Sequence, residues 1–278
     1  MTELCAILLA AGYGTRLRPL TDQLPKPLCP VGNQPILGRS LNLVEKLGLR
    51  GPTTVAVNTC WLGDQVARYL AGRAHLSPED PPPLGTSGAV AKLREWTDGR
   101  AVLVGNTDAY LAGVGLDPLI AGWDGQTVRL LGVPAAPGAD AFGRHQFAGF
   151  SLLPASWVAR LPTTRAELVH TVWRPAEAAG ALEVIEYPGY FQDTGTPADY
   201  LAANRHAAAT DPRRDTRGNL IAPGAVITGE CHDSVIGASA KVFGRLTRSV
   251  VWPGGFVGPA EHLIDAVRAG PDLTVGTG

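Results

Sequence analysis

The strongest constraint on the fold is a regular alternation of short apolar segments with helical patterns over the first 210 residues. Apolar runs that end in glycine or polar residues predict strands, and apolar residues at helical spacing predict helices. The predicted strands are 5–11, 53–58, 100–108 and 127–135, and the predicted helices are 36–47, 63–70, 86–96 and 197–209. This order favours an α/β fold with a Rossmann-like parallel or mixed sheet covered by helices.

A repeat of 15 residues begins after the polar linker 209–219. Segments 221–235, 236–250 and 251–265 align without gaps. Aliphatic residues recur at two positions of each segment, namely Ile221, Ile236, Val251 and Ile227, Val242, Val257. The repeat predicts a short left-handed parallel β-helix with hexapeptide-like sides, and the alternative is an irregular tail. The predicted domains are therefore residues 1–210 and the tail 217–278.

Composition excludes several classes of partner. The 278 residues are 45% hydrophobic and 18% charged, with a formal net charge of −1, so we expect no nucleic-acid partner. The N-terminus lacks a basic segment followed by an apolar one, and no apolar run is long enough to cross a bilayer. We expect a cytoplasmic protein without a membrane partner, whose widely spaced cysteines are reduced and structural.

The first predicted strand runs into a glycine-rich loop. Gly12 and Gly14 do not continue into a dinucleotide-binding fingerprint, whose third glycine would fall at Leu17, and no P-loop pattern is present. A glycine turn followed by Arg16 offers backbone N–H groups and a guanidinium to an anion. Lys26 stands between two prolines, which restrict its backbone. The loop is predicted to bind a polyphosphate.

Residues 9–27, "LAAGYGTRLRPLTDQLPKP", resemble the signature of the sugar-1-phosphate nucleotidyltransferases, G-x-G-T-R-[LM]-x-P-L-T-x-x-x-P-K-P. Every fixed position of that signature is present. Later segments are similar to family motifs in the same order: "LGTSGAV" (84–90), "GNTDAY" (105–110), "FAGFSLL" (147–153) and "YFQDTGTPADYLAAN" (190–204). The resemblance covers about residues 3–207, and the tail resembles the β-helix tails of longer members.

The resemblance implies that a sugar-1-phosphate oxygen attacks the α-phosphorus of a nucleoside triphosphate and displaces pyrophosphate. It implies that Arg16 holds the β- and γ-phosphates, and that Lys26 lies near the α-phosphate and the sugar phosphate. It also implies that Asp108 and Asp193 bind Mg²⁺ or Mn²⁺. The implied substrate-binding residues are Ala10, Gly12, Gly14, Thr15, Glu79, Gly85, Thr86, Gly88, Asn106 and Gly149.

Four positions qualify the resemblance, and two of them leave alternatives open. Glu79 either contacts ribose or base, as in the family, or is a solvated loop carboxylate. Many members read N-G-D where this chain has Thr107 before Asp108, and many carry an E-K-P lysine where this chain reads "DAFGRHQF". Arg144 or His145 is a candidate substitute for that lysine. Arg18 falls at a variable family position and is interpreted as surface charge.

The base and the sugar are open as well. "LGTSGAV" and "VVWPGG" favour a mannose-1-phosphate guanylyltransferase, which uses GTP, whereas "NTCWLGDQV" is similar to a stretch of N-acetylmuramate-1-phosphate uridylyltransferases. A regulatory paralogue without turnover is a rival, but such forms usually lack the signature arginine or lysine. A β-helix acyltransferase is disfavoured by the small number of coils. We expect a homodimer formed through the tail, where Trp252, Phe256 and Val257 add apolar surface.

Overall fold

The computed structural model describes residues 3–276. The strands are β1 (Leu4–Leu9), β2 (Pro30–Val31), β3 (Gln34–Pro35), β4 (Val55–Thr59), β5 (His75–Pro78), β6 (Ala101–Asn106), β7 (Ala109–Ala112), β8 (Val128–Pro134), β9 (Ala141–Phe142), β10 (His145–Leu153), β11 (Leu182–Glu186), β12 (Tyr190–Asp193), β13 (Leu220–Ile221), β14 (Val226–Ile227), β15 (Cys231–His232), β16 (Val235–Ile236), β17 (Lys241–Val242), β18 (Arg245–Thr247), β19 (Val250–Val251), β20 (Phe256–Val257), β21 (His262–Ile264), β22 (Ala266–Ala269) and β23 (Leu273–Gly276).

The helices are mostly short. They are α1 (Leu20–Gln23), α2 (Ile36–Lys46), α3 (Gly63–Leu70), α4 (Gly85–Lys92), α5 (Arg94–Thr97), α6 (Asp117–Ile120), α7 (Ala155–Val158), α8 (Arg174–Ala178) and α9 (Pro197–Thr210), with 3-10 turns at Thr15–Leu17 and Lys26–Leu28 and a π-helix at Val169–Trp173. Within residues 3–276, no helix combines the length and the apolar character needed to span a membrane.

The main sheet has the strand order β11-β8-β10-β6-β1-β4-β5, with β9 paired to β10. Strands β6, β1, β4 and β5 are parallel neighbours, and β8 is parallel to β11. Strand β10 is antiparallel to both β6 and β8, so the sheet is mixed. The predicted α/β fold with a Rossmann-like mixed sheet is therefore confirmed.

The central strands are buried because their residues are apolar on both faces. Cys5, Ile7, Val102, Val104 and Val128 belong to one hydrophobic core, and each is at most 2% exposed. Since the carboxyl ends of β1, β4, β5 and β6 lie at one edge of the sheet, the loops that follow them are brought to the same edge.

The described residues form two compact units. The first contains the chain through Tyr13, Pro25–Pro27 and Leu37–Phe191, and includes the main sheet. The second contains Gly14–Leu24, Leu28–Ile36 and the chain from Gln192 onward. The predicted boundary between residues 210 and 217 remains a prediction.

In the second unit, the C-terminal strands form three parallel ladders. The register joins Leu220 to Val235 and Val235 to Val250, which are steps of 15 residues. The β14-β17-β20 ladder and the pairing of β15 with β18 repeat this step. Two later steps are longer, because Leu246 pairs with Leu263 and Val250 pairs with Val267. The ladders are compatible with the predicted β-helix, and its left hand remains a prediction.

The interior of this stack is formed mainly by the second and third coils. Ile236, Val242, Val251 and Val257 are at most 1% exposed, as the repeat predicts. Ile221, in the first coil, is 42% exposed, because a terminal coil has a neighbour on one side only. The prediction that this residue lies inside the stack is wrong.

Glycines at one corner of the stack permit the close spacing of the coils. A Cβ atom at Gly229 would lie 1.8 Å from the carbonyl oxygen of Gly244, and one at Gly244 would lie 2.3 Å from that of Gly258. These contacts explain why glycine recurs at this position of the repeat.

The end of the stack is closed by a hairpin. Strand β23 pairs antiparallel with β22 and covers the last coil at this end. Inside the same unit, α9 packs on β16 and β22. Asn33, in the β2–β3 turn, donates from Nδ2 to the carbonyl oxygens of Leu220 (3.2 Å) and Ile236 (3.1 Å).

The four cysteines are free thiols, as predicted. Burial raises the pKa of Cys5 and of Cys231 to about 11. Burial also raises the pKa of the Cys60 thiol, and the Glu79 and Asp80 carboxylates add to this shift. These thiols are protonated at neutral pH, which suits structural residues.

Candidate active site

The glycine-rich loop starts at the carboxyl end of β1. The Ala10 N–H donates to Asn58 Oδ1 at 2.7 Å, and Ala10 is buried. A Cβ atom at Gly12 would have no neighbour within 4 Å among the described residues. The backbone here is fixed by a buried hydrogen bond and has open space beside it, as a backbone that receives an anion requires.

Lys26 and Asp108 form an ion pair within the first unit. Lys26 Nζ lies 3.0 Å from Asp108 Oδ2. The lysine side chain is 10% exposed and the aspartate side chain 40% exposed. Asp108 lies in the turn between β6 and β7, at the edge of the main sheet. The pair presents a nearly buried ammonium and a partly open carboxylate.

Thr107 replaces the glycine of the family's N-G-D pattern without projecting into solvent. Its hydroxyl donates to the Leu9 carbonyl oxygen at 2.6 Å, and its N–H donates to the same atom at 3.2 Å. Thr107 is 3% exposed. The side chain ties the end of β6 to the end of β1, next to Asn106, which pairs with Leu9 in the sheet.

Gly149 lies where β10 departs from regular pairing with β8. Its φ is +87°, and a Cβ atom there would lie 2.3 Å from the Ala109 Cβ. The chain therefore needs glycine at this position for its own packing against Ala109, the residue that follows Asp108. A role for Gly149 in sugar binding remains a prediction.

The second glycine-rich segment, residues 84–90, packs against residues 164–167 of the same chain. Thr86 donates from its N–H (3.0 Å) and its hydroxyl (2.7 Å) to Glu167 Oε2. A Cβ atom at Gly85 would lie 2.5 Å from the Ala166 carbonyl oxygen, and one at Gly88 2.9 Å from that of Thr164. Both glycines permit a close approach of segment 164–167, and their predicted contact with the nucleoside is not tested.

Glu79 is buried, at 6% exposure, so it is not a solvated loop carboxylate. Its Oε1 accepts from Asn58 Nδ2 at 2.8 Å, and its Oε2 accepts from the Leu84 N–H at 2.8 Å. Both oxygens are thus bonded to groups of the protein. An open cavity of about 320 Å³ lies beside it, lined also by Thr59 and Cys60.

The candidate substitutes for the absent lysine share one partner. Arg144 Nη2 lies 3.6 Å from Glu186 Oε2, and His145 Nε2 lies 3.2 Å from the same oxygen. The Arg144 side chain is 84% exposed and the His145 side chain 12% exposed. Arg144 therefore has the greater freedom to contact a ligand.

Arg16 and Asp193 form an ion pair within the second unit. Gly14, with φ +63°, starts the turn that carries Thr15 and Arg16. Arg16 Nη2 lies 3.6 Å from Asp193 Oδ2, and the side chains are 64% and 46% exposed. A Cβ atom at Gly195 would lie 2.8 Å from both terminal nitrogens of Arg16, so the guanidinium lies against this glycine.

Arg18, two residues further on, pairs locally. Its Nε lies 3.1 Å from Asp22 Oδ1, and about half of each side chain is exposed. This placement agrees with its interpretation as surface charge.

The resemblance implies that Asp108 and Asp193 bind a divalent cation. Within residues 3–276, no group of three or more His, Cys, Asp or Glu side chains could hold a metal ion. Mg²⁺ is commonly bound by one or two carboxylates together with substrate phosphates, and it prefers hard oxygen ligands. Asp108 and Asp193 supply such oxygens, so the chemistry of the donors fits.

Three residues that contact predicted site residues were missed at the sequence level: Asn58, Glu167 and Glu186. The sequence could have indicated Asn58, because it is the first polar residue of an apolar strand and lies at the sheet edge where ligands bind. It could not have indicated Glu167 and Glu186, since their partners lie 81 and 41 residues away in sequence.

Parts of the chain are similar in sequence to known nucleotidyl transferases. Residues 5–121 match the family model described as nucleotidyl transferase. The N-acetylmuramate α-1-phosphate uridylyltransferase of Neisseria meningitidis is 38% identical over 109 residues, 37% of this chain and 46% of that protein. A probable mannose-1-phosphate guanylyltransferase of rice is 26% identical over 269 residues, 85% of this chain and 72% of that protein.

A solved structure has a similar fold. A structure described as a glucose-1-phosphate thymidylyltransferase of Bacillus anthracis aligns with a TM-score of 0.62 at 18% identity, over 74% of this chain and 95% of that one. The chain is thus similar to the nucleotidyl transferase family over residues 5–121 and shares the fold of this solved structure. Its resemblance to the sugar-1-phosphate nucleotidyltransferases is confirmed, although it spans less than half the length of the uridylyltransferase and about a quarter of a Xenopus laevis mannose-1-phosphate guanyltransferase that it matches.

Proposed function

We propose that this protein transfers a nucleoside monophosphate from a nucleoside triphosphate to a sugar 1-phosphate, giving a nucleotide sugar and pyrophosphate. The observation that carries the proposal is the Lys26–Asp108 pair. It holds a nearly buried ammonium at the edge of the sheet, inside the loop that bears the full signature.

The reaction forms one bond and breaks one. An oxygen of the sugar phosphate attacks the α-phosphorus, and the bond from that phosphorus to the bridging oxygen of the β-phosphate breaks. The electron pair leaves with pyrophosphate. Because the attacking phosphate oxygen is already anionic, no side chain has to remove a proton. The protein's task is to position the substrates and to neutralise their charge.

Lys26 is suited to the place where the negative charges of the α-phosphate and the sugar phosphate come together. A charge removed from water acts more strongly than one in solvent, and Lys26 is only 8% exposed. Asp108 and the flanking prolines fix its position before any substrate arrives. We assign its ammonium to the α-phosphate and the incoming sugar phosphate.

Arg16 is suited to the leaving group. Its guanidinium is exposed and can contact two phosphate oxygens at once. We assign it to the β- and γ-phosphates, with the exposed backbone of Gly12 and Thr15 contributing N–H groups. We propose that the nucleoside is contacted by Gly85, Thr86, Gly88 and Asn106. We propose that Gly149 contacts the sugar.

Asp108 and Asp193 are proposed as ligands of Mg²⁺ or Mn²⁺. Such a cation would neutralise phosphate charge during the transfer. The carboxylates would hold it, and each would also orient its own cationic partner.

For the substrates, we propose GTP and mannose 1-phosphate. The long alignment with the rice guanylyltransferase supports this choice, and the shorter, more identical alignment with the uridylyltransferase supports UTP as the alternative. A regulatory paralogue without turnover is less favoured, because Arg16, Lys26 and both aspartates are present. We further propose a cytoplasmic homodimer formed through the tail. Of the three residues expected to add apolar surface there, Trp252 and Val257 are buried within the chain, so that part of the expectation is wrong and only Phe256 is exposed.

The test is a matrix of nucleoside triphosphates against sugar 1-phosphates, scored by pyrophosphate release. We expect turnover with at least one pair, highest with GTP and mannose 1-phosphate. Turnover confined to UTP would contradict the guanylyl assignment and leave the reaction class intact. No turnover, together with tight binding of a nucleotide sugar, would favour the regulatory alternative.

A further inference from the structure

A buried chain of hydrogen bonds links the two glycine-rich segments of the first unit. It runs from the Ala10 N–H to Asn58 Oδ1 (2.7 Å), from Asn58 Nδ2 to Glu79 Oε1 (2.8 Å), and from the Leu84 N–H to Glu79 Oε2 (2.8 Å). Asn58 is 3% and Glu79 6% exposed. We name these four residues the relay.

The topology explains why the relay can reach both segments. Asn58 lies in β4, between β1 and β5. It pairs with Leu9 on one side and Ser77 on the other. Ala10 follows β1 directly and Glu79 follows β5 directly, so three neighbouring strand ends are joined across the sheet edge.

The relay fits only one arrangement of donors and acceptors. Both of its ends are backbone N–H groups, which can only donate. The Asn58 atom that faces Ala10 must therefore be its oxygen, which turns its NH₂ group towards Glu79. Glu79 must then accept on both of its terminal atoms, which a carboxylate can do and an amide cannot, because the NH₂ group of an amide only donates.

We infer that Asn58 and Glu79 are positioning residues that set the distance between the phosphate loop at Ala10 and the segment that begins at Leu84. This inference rests on the proposed function, because it assigns the two segments to one nucleoside triphosphate. It also gives Glu79 a role other than direct contact with ribose or base. Both of its carboxylate oxygens are already bonded to the protein.

The decisive experiment exchanges the chemistry of the two residues. In Glu79→Gln, one of the two donors facing position 79 loses its acceptor. In Asn58→Asp, two carboxylates face each other. In the double variant, the new carboxylate at 58 accepts from Ala10 and from the new amide at 79, whose oxygen accepts from Leu84. The number of bonds and the net charge are both restored.

We expect each single variant to lose about 10- to 100-fold in kcat/KM, the range that one unsatisfied buried polar group can cause, mostly through a higher KM for the nucleoside triphosphate. The double variant should return to within about threefold of the unchanged protein. Asn219→Asp is the matched control, since Asn219 is buried and bonded to Cys231 and Ser234 in the second unit. It should lower stability without raising that KM.

Hydrogen exchange without substrate separates this inference from the proposed function. In Glu79→Gln, the new NH₂ group faces either the Leu84 N–H or the Asn58 amide. The Leu84 amide should exchange faster in the first case, and the Ala10 amide in the second if the Asn58 amide flips. Both amides should be protected again in the double variant, whether or not the protein turns over. Loss of activity with unchanged exchange at both amides would mean that Glu79 contacts the substrate directly, and would overturn the inference. A double variant as impaired as Glu79→Gln would overturn it as well. If Glu79→Gln does not fold, the folding and kinetics of the double variant still decide.

Discussion

The ion pair of the first unit and that of the second are built differently, although each joins a signature cation to a proposed metal ligand. In the first unit, Lys26 lies 3.0 Å from Asp108 and its side chain is 10% exposed. In the second unit, Arg16 lies 3.6 Å from Asp193, with side chains 64% and 46% exposed. Buried charges depend strongly on their partners, whereas exposed pairs contribute about 0–1 kcal/mol.

The difference indicates two kinds of task. Lys26 is held in one position and has little room to move, as a group that stabilises charge in the transition state should be. Arg16 can exchange its carboxylate for a phosphate at low cost, as a group that captures the triphosphate and releases pyrophosphate should do. The following changes test this comparison, from the largest expected effect to the smallest.

Replacing the buried cation should have the largest effect. Lys26→Ala should lower kcat/KM by at least about two orders of magnitude, because a desolvated charge on the transferring phosphate stabilises the transition state by several kcal/mol. Arg18→Ala, in the same loop, is the control and should be nearly silent. Equal losses in both variants, measured by steady-state pyrophosphate release, would mean that the catalytic side of the loop is wrongly assigned.

The aspartates come next. Asp108→Asn and Asp193→Asn should each remove most activity, and the double variant should be little worse, since residues that act as a unit are not additive. Excess Mg²⁺ or Mn²⁺ should partly rescue each single variant. The melting temperature should fall more in Asp108→Asn, which removes the charge beside the buried lysine. Full activity in Asp193→Asn would mean that Asp193 is not a metal ligand.

The exposed cation should have a smaller, salt-dependent effect. Arg16→Ala should raise KM for the nucleoside triphosphate by about tenfold, with a smaller change in kcat than Lys26→Ala, because the lost contact is made in the ground state as well. The KM of the unchanged protein should rise more steeply with ionic strength than that of the variant. A loss confined to kcat would contradict the division of tasks.

The smallest effect concerns stability alone. Trp252 donates from Nε1 to the Tyr200 hydroxyl at 3.0 Å, within the second unit. Trp252→Phe removes this bond and leaves an aromatic ring, so the free energy of unfolding should fall by about 1 kcal/mol. Urea denaturation measures the change. Kinetics altered as strongly as in Arg16→Ala would mean that the tail acts on the chemistry.

The sequence was sufficient for the regular elements because their patterns are local. The helix predicted at 36–47 is observed at Ile36–Lys46, and the strand predicted at 5–11 is observed at Leu4–Leu9. One predicted helix, 86–96, is divided into α4 and α5 at Leu93, whose ψ of 7° leaves the helical range. The 15-residue repeat predicted the register between the first coils, but neither the longer steps from Leu246 to Leu263 and from Val250 to Val267 nor the hairpin that closes the stack.

The surroundings of the site could not be predicted, because they depend on contacts between distant residues. The burial of Glu79 depends on Asn58, 21 residues away. Thr107 can stand where many family members have glycine because its hydroxyl donates to the carbonyl oxygen of Leu9, 98 residues away. Gly85 and Gly88 permit a close approach of segment 164–167, which the sequence did not indicate, and their close approach to the nucleoside remains a prediction. A glycine pattern indicates a close approach, but not which partner approaches.

The most direct test of the central claim follows the phosphorus atoms themselves. The full chain is incubated with Mg²⁺, GTP and mannose 1-phosphate, and ³¹P NMR spectra are recorded over time, with Lys26→Ala as the parallel sample. The account predicts that the triphosphate and monoester signals decline together. The two signals of a diphosphate diester and that of pyrophosphate should grow in equal molar amounts, and Lys26→Ala should remain nearly unchanged. Growth of orthophosphate and nucleoside diphosphate while the sugar phosphate remains would identify a triphosphatase and contradict the account.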